Sequence, residues 1–234
     1  MGGPFHEGRV LQGGRAQRYS NLPGFIVQRR FVRSAILTSG VAIRCGTSAS
    51  DWGTAYCNCV NKAVIRCATT ADTEVILEFV TLAYRGGGEA TGWTSESHLI
   101  SGQRTNVGEI TEAINANNGV FLVAVDEDDV AIGCLRLDRS SPDKAHFGLF
   151  AVDPRLQTGG TGSALLQAAI DQARQWGVET LAMEVVHQRD ELKAWYIRRG
   201  FQLTGETSPF PYGDERFGVP LRDDLYFDVL ELKL

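Results

Sequence analysis

The chain of 234 residues is 43% hydrophobic and 22% charged, the balance of a folded protein of ordinary size. It contains no apolar run of about 18 residues, so no membrane span is expected. Its net charge of −5 argues against a general nucleic-acid binder.

Charge is unevenly spread. Residues 1–50 hold seven arginines against one acid, Glu7, and show no sustained helical or alternating period. Residues 1–60 therefore read as a basic, disordered extension, because Gly13-Gly14, Pro23-Gly24 and Gly40 interrupt any long helix. Their Arg-rich, acid-poor composition also suits a mitochondrial transit segment, with Gln28–Leu37 as its amphipathic piece; otherwise a cytoplasmic location is expected. The five cysteines, Cys45, Cys57, Cys59, Cys67 and Cys134, are odd in number and follow no secretory segment. Reduced structural thiols are expected, and no metal site.

The folded domain is placed at 62–234. Ala63–Ala68 reads as a first strand, and Asp72–Tyr84 as a helix with Ile76, Phe79, Val80 and Ala83 on one face. Glu89–Ser101 is a loop or short helix, and a further helix spans Val107–Asn117. Val120–Val125 and Val130–Leu137 flank the acidic turn Asp126–Asp129 as a hairpin, and Ala145–Val152 is the next strand. Asp153-Pro154 stops it, since proline lacks a ladder donor. A glycine-dense turn, Gln157–Gly162, leads into a helix carrying Leu166, Ala169, Ile170 and Ala173 on one face, ended at Gly177. Leu181–Val186 follows as a strand parallel to the previous one through a right-handed crossover. A short helix capped by Asp190 runs through Arg199; a strand opens at Phe201–Thr204, and Leu225–Leu232 alternates as the last strand.

A strand, a glycine loop and a helix N-terminus in succession make an anion cradle, because the first turn of a helix carries free N–H groups and the positive end of its dipole. Val152-Asp-Pro154 followed by Gln157-x-x-Gly160-x-Gly162 resembles the acyl-CoA signature of the GNAT superfamily of N-acetyltransferases. A second piece, Ala194–Phe201, resembles its later motif, in which a tyrosine precedes a Gly-Phe pair by four residues. The resemblance covers roughly Lys62–Leu234 and implies an α/β (α+β) fold: a mixed central sheet of about seven strands, splayed at the cofactor site, with helices on both faces. A dinucleotide fingerprint fits less well, since its third glycine falls on Leu165.

The resemblance also implies roles. Acetyl-CoA would be held by Phe150, Ala151 and Val152 along the strand and by Gln157, Thr158, Gly159, Gly160, Thr161, Gly162 and Ser163 in the loop, with the Val152 N–H as oxyanion donor. Tyr196 would be the general acid. His146 stands where many members carry a basic glutamate, with Glu184, Glu96 and His98 as rivals, and His187 is expected at the surface. Trp195 is expected in the core. Arg189, where asparagine is frequent, is expected to be solvated. The acceptor would lie between the Gly86–His98 and Pro209–Phe217 loops, touching Trp93, Glu96 and Tyr212, whose aromatic and acidic character suits a cationic amine. The expected protein is a monomeric or homodimeric acetyl-CoA-dependent N-acetyltransferase acting on a small primary amine by direct attack. A protein or peptide acceptor and a non-catalytic acyl-CoA sensor are the alternatives.

Overall fold

The computed structural model describes residues 64–86 and 95–234. The basic extension, its Gln28–Leu37 piece and Trp93 lie outside the described residues. In chain order the elements are β1 (Val64–Cys67), α1 (Thr73–Arg85), β2 (Ile100–Ser101), α2 (Val107–Asn115), β3 (Gly119–Val125), β4 (Ala131–Arg139), β5 (Lys144–Val152), α3 (Thr161–Gln175), β6 (Thr180–Val186), α4 (Asp190–Ile197), β7 (Gln202–Pro209), β8 (Val219–Pro220) and β9 (Tyr226–Lys233).

Seven strands form one sheet in the order β1-β3-β4-β5-β6-β9-β7. Only β5 and β6 run parallel; the other neighbours are antiparallel. A second, two-stranded sheet joins β2 to β8. The sequence reading anticipated the seven long strands but not this ribbon, whose paired residues, Ile100↔Pro220 and Ser101↔Val219, are too few to show an alternating pattern. Among the described residues no helix is long and apolar enough to cross a membrane. Cys67 is disulfide-bonded, which corrects the expectation of reduced thiols at that position, whereas Cys134 is a buried free thiol.

The alternation of each strand decides which helices it meets. On β3, Leu122 and Ala124 join the cluster built on α3 (Leu165, Leu166, Ala169, Ala173) and α4 (Tyr196). Phe121, Val123 and Val125 join the opposite cluster, built on α1 (Ile76, Phe79, Val80, Ala83) and α2 (Ile110, Ala113). Helices therefore cover both faces. The start of α1 is fixed by Asp72, whose carboxylate accepts from the Thr69 N–H at 2.7 Å and from Arg66 at 2.9 and 2.8 Å.

One strand breaks its own alternation. On β5, Ala145 and Phe147 face α3, yet Leu149 and Ala151 face α1, while Phe150 and Val152 turn back toward α3. The cause is a bulge: the register with β4 shifts between Cys134↔Ala151 and Arg136↔Gly148, and Leu149 takes a left-handed φ of 42°. One extra residue flips every side chain after it to the other face.

The seat of α3 against the sheet depends on Gly133 of β4. A Cβ there would lie 3.0 Å from Leu165 Cδ1 and 3.1 Å from the Ala151 carbonyl oxygen. We predict that Gly133→Val lowers unfolding free energy by about 1–3 kcal/mol, the usual cost of overpacking, measured by urea denaturation. A variant as stable as the parent would show that α3 does not need this close approach.

Candidate active site

β5 and β6 pair over Lys144↔Thr180, Ala145↔Leu181 and His146↔Ala182 and then part. Beyond that point, among the described residues, β5 is paired only with β4 and β6 only with β9. The result is a wedge through the sheet with its apex at His146 and Ala182. A cavity of about 460 Å³ occupies it, lined on one arm by residues 146–152 and on the other by 183–186. A Cβ built on Gly148 would meet nothing within 4 Å, so this glycine faces open space. The backbone edge of Phe147–Val152 that faces β6 lacks a strand partner there, leaving it available to a ligand.

The two sheet faces supply different walls. From the α3 and α4 side come Gly160, Gly162, Ser163, Leu192, Trp195 and Tyr196. Gly160 has φ 78° and is the residue from which α3 starts; the first intrahelical bond of that turn runs from the Ala164 N–H to the Gly160 carbonyl at 3.1 Å. The N–H groups of Thr161, Gly162 and Ser163 thus belong to the unpaired first turn. At Gly162 a Cβ would touch Phe150 and Val152, both at 3.6 Å, which ties the loop to the end of β5. The loop itself is a 3-10 turn over Pro154–Gly159, its entry fixed by Asp153, whose carboxylate accepts from the Arg155 N–H at 2.9 Å. The Arg155 guanidinium bonds to the same carboxylate and helps hold it ionised, below its ordinary range despite burial.

Tyr196 is placed by its helix. Lys193, one turn earlier on α4, is buried and donates to Asp228 of β9 at 2.8 Å and to the His187 carbonyl at 2.6 Å. The Tyr196 ring packs against Phe147 at 5.9 Å and Phe201 at 5.6 Å, and the residue is 3% exposed. Its hydroxyl makes no protein hydrogen bond among the described residues, and Tyr196 lines the cavity. Burial pushes the phenol well above its ordinary pKa of 10, so it stays protonated. Arg199 stacks on Trp195 at 3.4 Å and donates to the Ser163 hydroxyl at 3.0 Å, bringing a cation to the start of α3. The sequence reading had placed Trp195 in the core; it is instead a cavity wall.

From the other side come Tyr84, Arg85, Glu96, Ile100, Arg104, Phe210 and Phe217, with His146 and Glu184 near the apex. Burial is the main influence on His146, pulling its pKa below the ordinary 6.5, with Glu184 and Asp138 partly opposing. The imidazole is therefore neutral at neutral pH. Glu184 accepts from the Ser208 hydroxyl at 2.7 Å. His146 and Glu184 thus meet the same cavity, on the sheet face away from Phe147 and Tyr196.

Several expectations need correction. Tyr212 is 45% exposed and outside the cavity lining; its hydroxyl donates to the Arg222 carbonyl at 3.2 Å and accepts from the Leu225 N–H at 2.6 Å, so it holds its own loop together. Phe210 and Phe217 of that loop are the aromatics that reach the cavity. Arg189 is not solvated: it is 7% exposed and faces Glu96 at 3.9 Å. Glu96 does line the cavity, but between Arg189 and Arg85, the latter at 3.4 Å, so its charge is already matched. His98 is exposed and outside the lining. His187, expected as a surface residue, is half-exposed yet bonded to Asp228 at 2.9 Å and stacked on Tyr226. Asp190 is the first residue of α4, not its cap.

Sequence reasoning missed Tyr84, Arg85 and Arg104. Tyr84 and Arg85 end α1, and Arg104 lies in the loop after β2; neither position is visible as a site until β2 and β8 pair. Tyr84 donates its hydroxyl to the Phe150 carbonyl at 3.0 Å, and Cys134 donates its thiol to the Leu149 carbonyl at 3.3 Å. Together they hold the carbonyls of the bulge.

Comparison with known proteins gives a consistent result. Residues 89–201 match the model of the acetyltransferase (GNAT) family. Among solved structures, Ard1 from Thermoplasma volcanium superposes with a TM-score of 0.56 at 20% identity, over 74% of this chain and 97% of that one. A GNAT family acetyltransferase from Elizabethkingia anophelis with acetyl-CoA bound gives 0.52 at 17% identity, over 74% and 99%. The ribosomal-protein-S18-alanine N-acetyltransferase from Escherichia coli gives 0.52 at 18% identity, over 73% and 93%. Likeness at these identities is one of fold. A comparison with the curated proteins found no match.

Cys134 is fully buried and burial raises its thiol to about 12. We predict that iodoacetamide at pH 8 leaves Cys134 unmodified in the native protein and labels it in denaturant, as read by peptide mass mapping. Rapid native labelling would contradict a sealed thiol beside the bulge.

Proposed function

We propose that the chain, whose residues 89–201 match the acetyltransferase (GNAT) family model, acetylates the primary amine of a small molecule by direct attack in a ternary complex. The observation that supports this reading is the wedge between β5 and β6, a single cavity lined by residues from both sheet faces, which suits a donor on one face and an acceptor on the other. The cofactor is acetyl-CoA. The residues suited to hold it are the open edge of Phe150–Val152, the first turn of α3 from Gly160 to Ser163, and Arg199 beside them. These groups offer the N–H donors and positive charge that a pyrophosphate needs, and an apolar slot beside Trp195 and Leu192 for the arm. The acceptor end is walled by Ile100, Phe210, Phe217 and Phe227, which favours a compact apolar acceptor over a broad protein surface.

When bound, acetyl-CoA would supply the acetyl group as a thioester, and its transfer to the amine would release coenzyme A as a thiolate. The chain has to take one proton from the attacking amine and stabilise the departing thiolate. His146, neutral and on the acceptor side, is the base, with Glu184 beside the same cavity as the second acid–base group. The Val152 N–H is the donor to the developing oxyanion. Tyr196, on the cofactor side, donates a hydrogen bond to the leaving sulfur. Its raised pKa makes complete transfer to a thiolate, whose conjugate acid lies near about 8.5, unfavourable, so the hydrogen bond and not full protonation is its contribution. Cys134 cannot serve as an acyl carrier, since its thiol is sealed and kept protonated.

Three measurements test this. Tyr196→Phe, which keeps the ring packing, is expected to lower kcat about tenfold to a hundredfold with little change in KM for acetyl-CoA; unchanged kcat would remove Tyr196 from the chemistry. Because the folded-state pKa of His146 is depressed, its basic form persists to lower pH than in an unfolded chain. The acid limb of kcat/KM should fall below pH 6.5 and should be lost, with about a hundredfold lower plateau, in His146→Gln. An identical limb in that variant would point to Glu184. Gly160→Asp is expected to raise the Kd of coenzyme A at least about tenfold, since its carboxylate would occupy the anion cradle. Asp tolerates the left-handed backbone better than most side chains, so melting should confirm that the variant is folded; unaltered affinity by calorimetry would refute the cradle.

A further inference from the structure

Among the described residues the acceptor side of the wedge has an unbalanced charge. The charged groups and the imidazole lining it, among the described residues, are Arg85 at the end of α1, Glu96, Arg104, His146 on β5 and Glu184 on β6, with Arg189, before α4, behind Glu96. Arg85 is committed: it donates to the carbonyls of Gly102 at 3.0 Å, Gln103 at 3.3 Å and Phe217 at 3.2 Å, and pairs with Glu96. Glu96 sits between Arg85 and Arg189, so its single charge faces two cations. Arg104 has neither a hydrogen bond nor an ion pair among the described residues. Its guanidinium carbon lies 4.9 Å from the Tyr84 ring centroid, and a cation–π contact of that kind positions the group without using its N–H donors. The Tyr84 hydroxyl is bonded to the Phe150 carbonyl, so one ring spans from Arg104 to the bulge of β5. A guanidinium held in a partly enclosed cavity without a counter-ion among the described residues calls for an anion from the ligand.

We infer that Arg104 binds a carboxylate on the acceptor, and that the acceptor is an amino acid or close analogue with an apolar side chain. The inference rests on the acetyltransferase reading above and narrows it. The apolar part of the acceptor meets Ile100, Val186, Phe210, Phe217 and Phe227, while the amine points toward His146 at the apex. A phosphate of the cofactor is a poorer match for Arg104, because the cradle of α3 opens on the other face of β5. The cationic amine anticipated from Glu96 and Tyr212 is replaced by a zwitterion: Glu96 is neutralised and Tyr212 is elsewhere.

The test uses the full chain and matched pairs of acceptors: phenylalanine against 2-phenylethylamine, tryptophan against tryptamine, and leucine against 3-methylbutylamine. Thiol release from acetyl-CoA gives kcat/KM for each. The acid of at least one pair should exceed its amine by about tenfold or more, and Arg104→Met should collapse that ratio toward one, chiefly through KM. Arg104→Lys should keep part of it, having charge without the planar fork. Calorimetry of N-acetylphenylalanine and N-acetyl-2-phenylethylamine, with and without coenzyme A, gives a second readout of the same preference. A ratio unaffected by Arg104→Met, or a preference for the plain amines, overturns the assignment. So does weakened coenzyme A binding in Arg104→Met with the acceptor ratio intact, which would give Arg104 to the cofactor. If coenzyme A does not bind the parent protein, the acetyltransferase reading fails, and the calorimetry without it still reports whether Arg104 selects a carboxylate.

Discussion

A parallel strand pair that stops after three residue pairs leaves backbone without its usual partner in the middle of a sheet, and the rest of the domain is arranged around that interruption. Both arms are held apart by their other neighbours: β5 by β4 over most of its length, β6 by β9 from Thr180 to Val186. The bulge at Leu149 then turns Phe150 and Val152 toward α3 and Leu149 and Ala151 toward α1. Its left-handed backbone is unfavourable for leucine. The hydrogen bonds from Cys134 and Tyr84 to the carbonyls of Leu149 and Phe150 are the local compensation.

The same geometry divides the chemistry. Because successive residues of a strand point to opposite faces, one wedge can have two unlike mouths. Tyr196 belongs with the aromatic rings of the α3 and α4 side, where burial keeps a phenol protonated. His146, next to Phe147 in sequence, emerges on the opposite side, where burial keeps an imidazole neutral. A protonated donor and an unprotonated acceptor at neutral pH follow from the same influence, desolvation, acting on groups whose charged forms have opposite sign.

Much of the fold was legible in the sequence. The helical spacing of Ile76, Phe79, Val80 and Ala83, the hairpin around Asp126–Asp129 and the strand–glycine–helix succession ending at Gly177 are local signals, and each element stands within a few residues of its expected bounds. The positions of His146, Glu184 and Tyr196 at one cavity follow from the strands and helix that carry them. What the sequence concealed is what depends on contacts distant along the chain. The β2–β8 ribbon joins residues 100 and 220, and Arg85 reaches Phe217 through it. Arg189 looked like a surface cation because its partner, Glu96, lies far upstream. Tyr212 looked like a recognition aromatic because nothing local reveals that its hydroxyl closes a turn with Arg222 and Leu225.

The parting of β5 from β6 has a mechanical side. Four strands, β1-β3-β4-β5, lie on one side of it and three, β6-β9-β7, on the other, joined in the sheet by the short pairing near His146. A ligand that bonds to one arm and packs on the other acts as a strut between two half-sheets. Its binding energy then appears as resistance to unfolding, growing with the logarithm of ligand concentration above its dissociation constant. Slow amide exchange should spread on loading from the β4 side of β5 to the edge that faces the gap, so that the sheet behaves as one elastic body only when the wedge is filled.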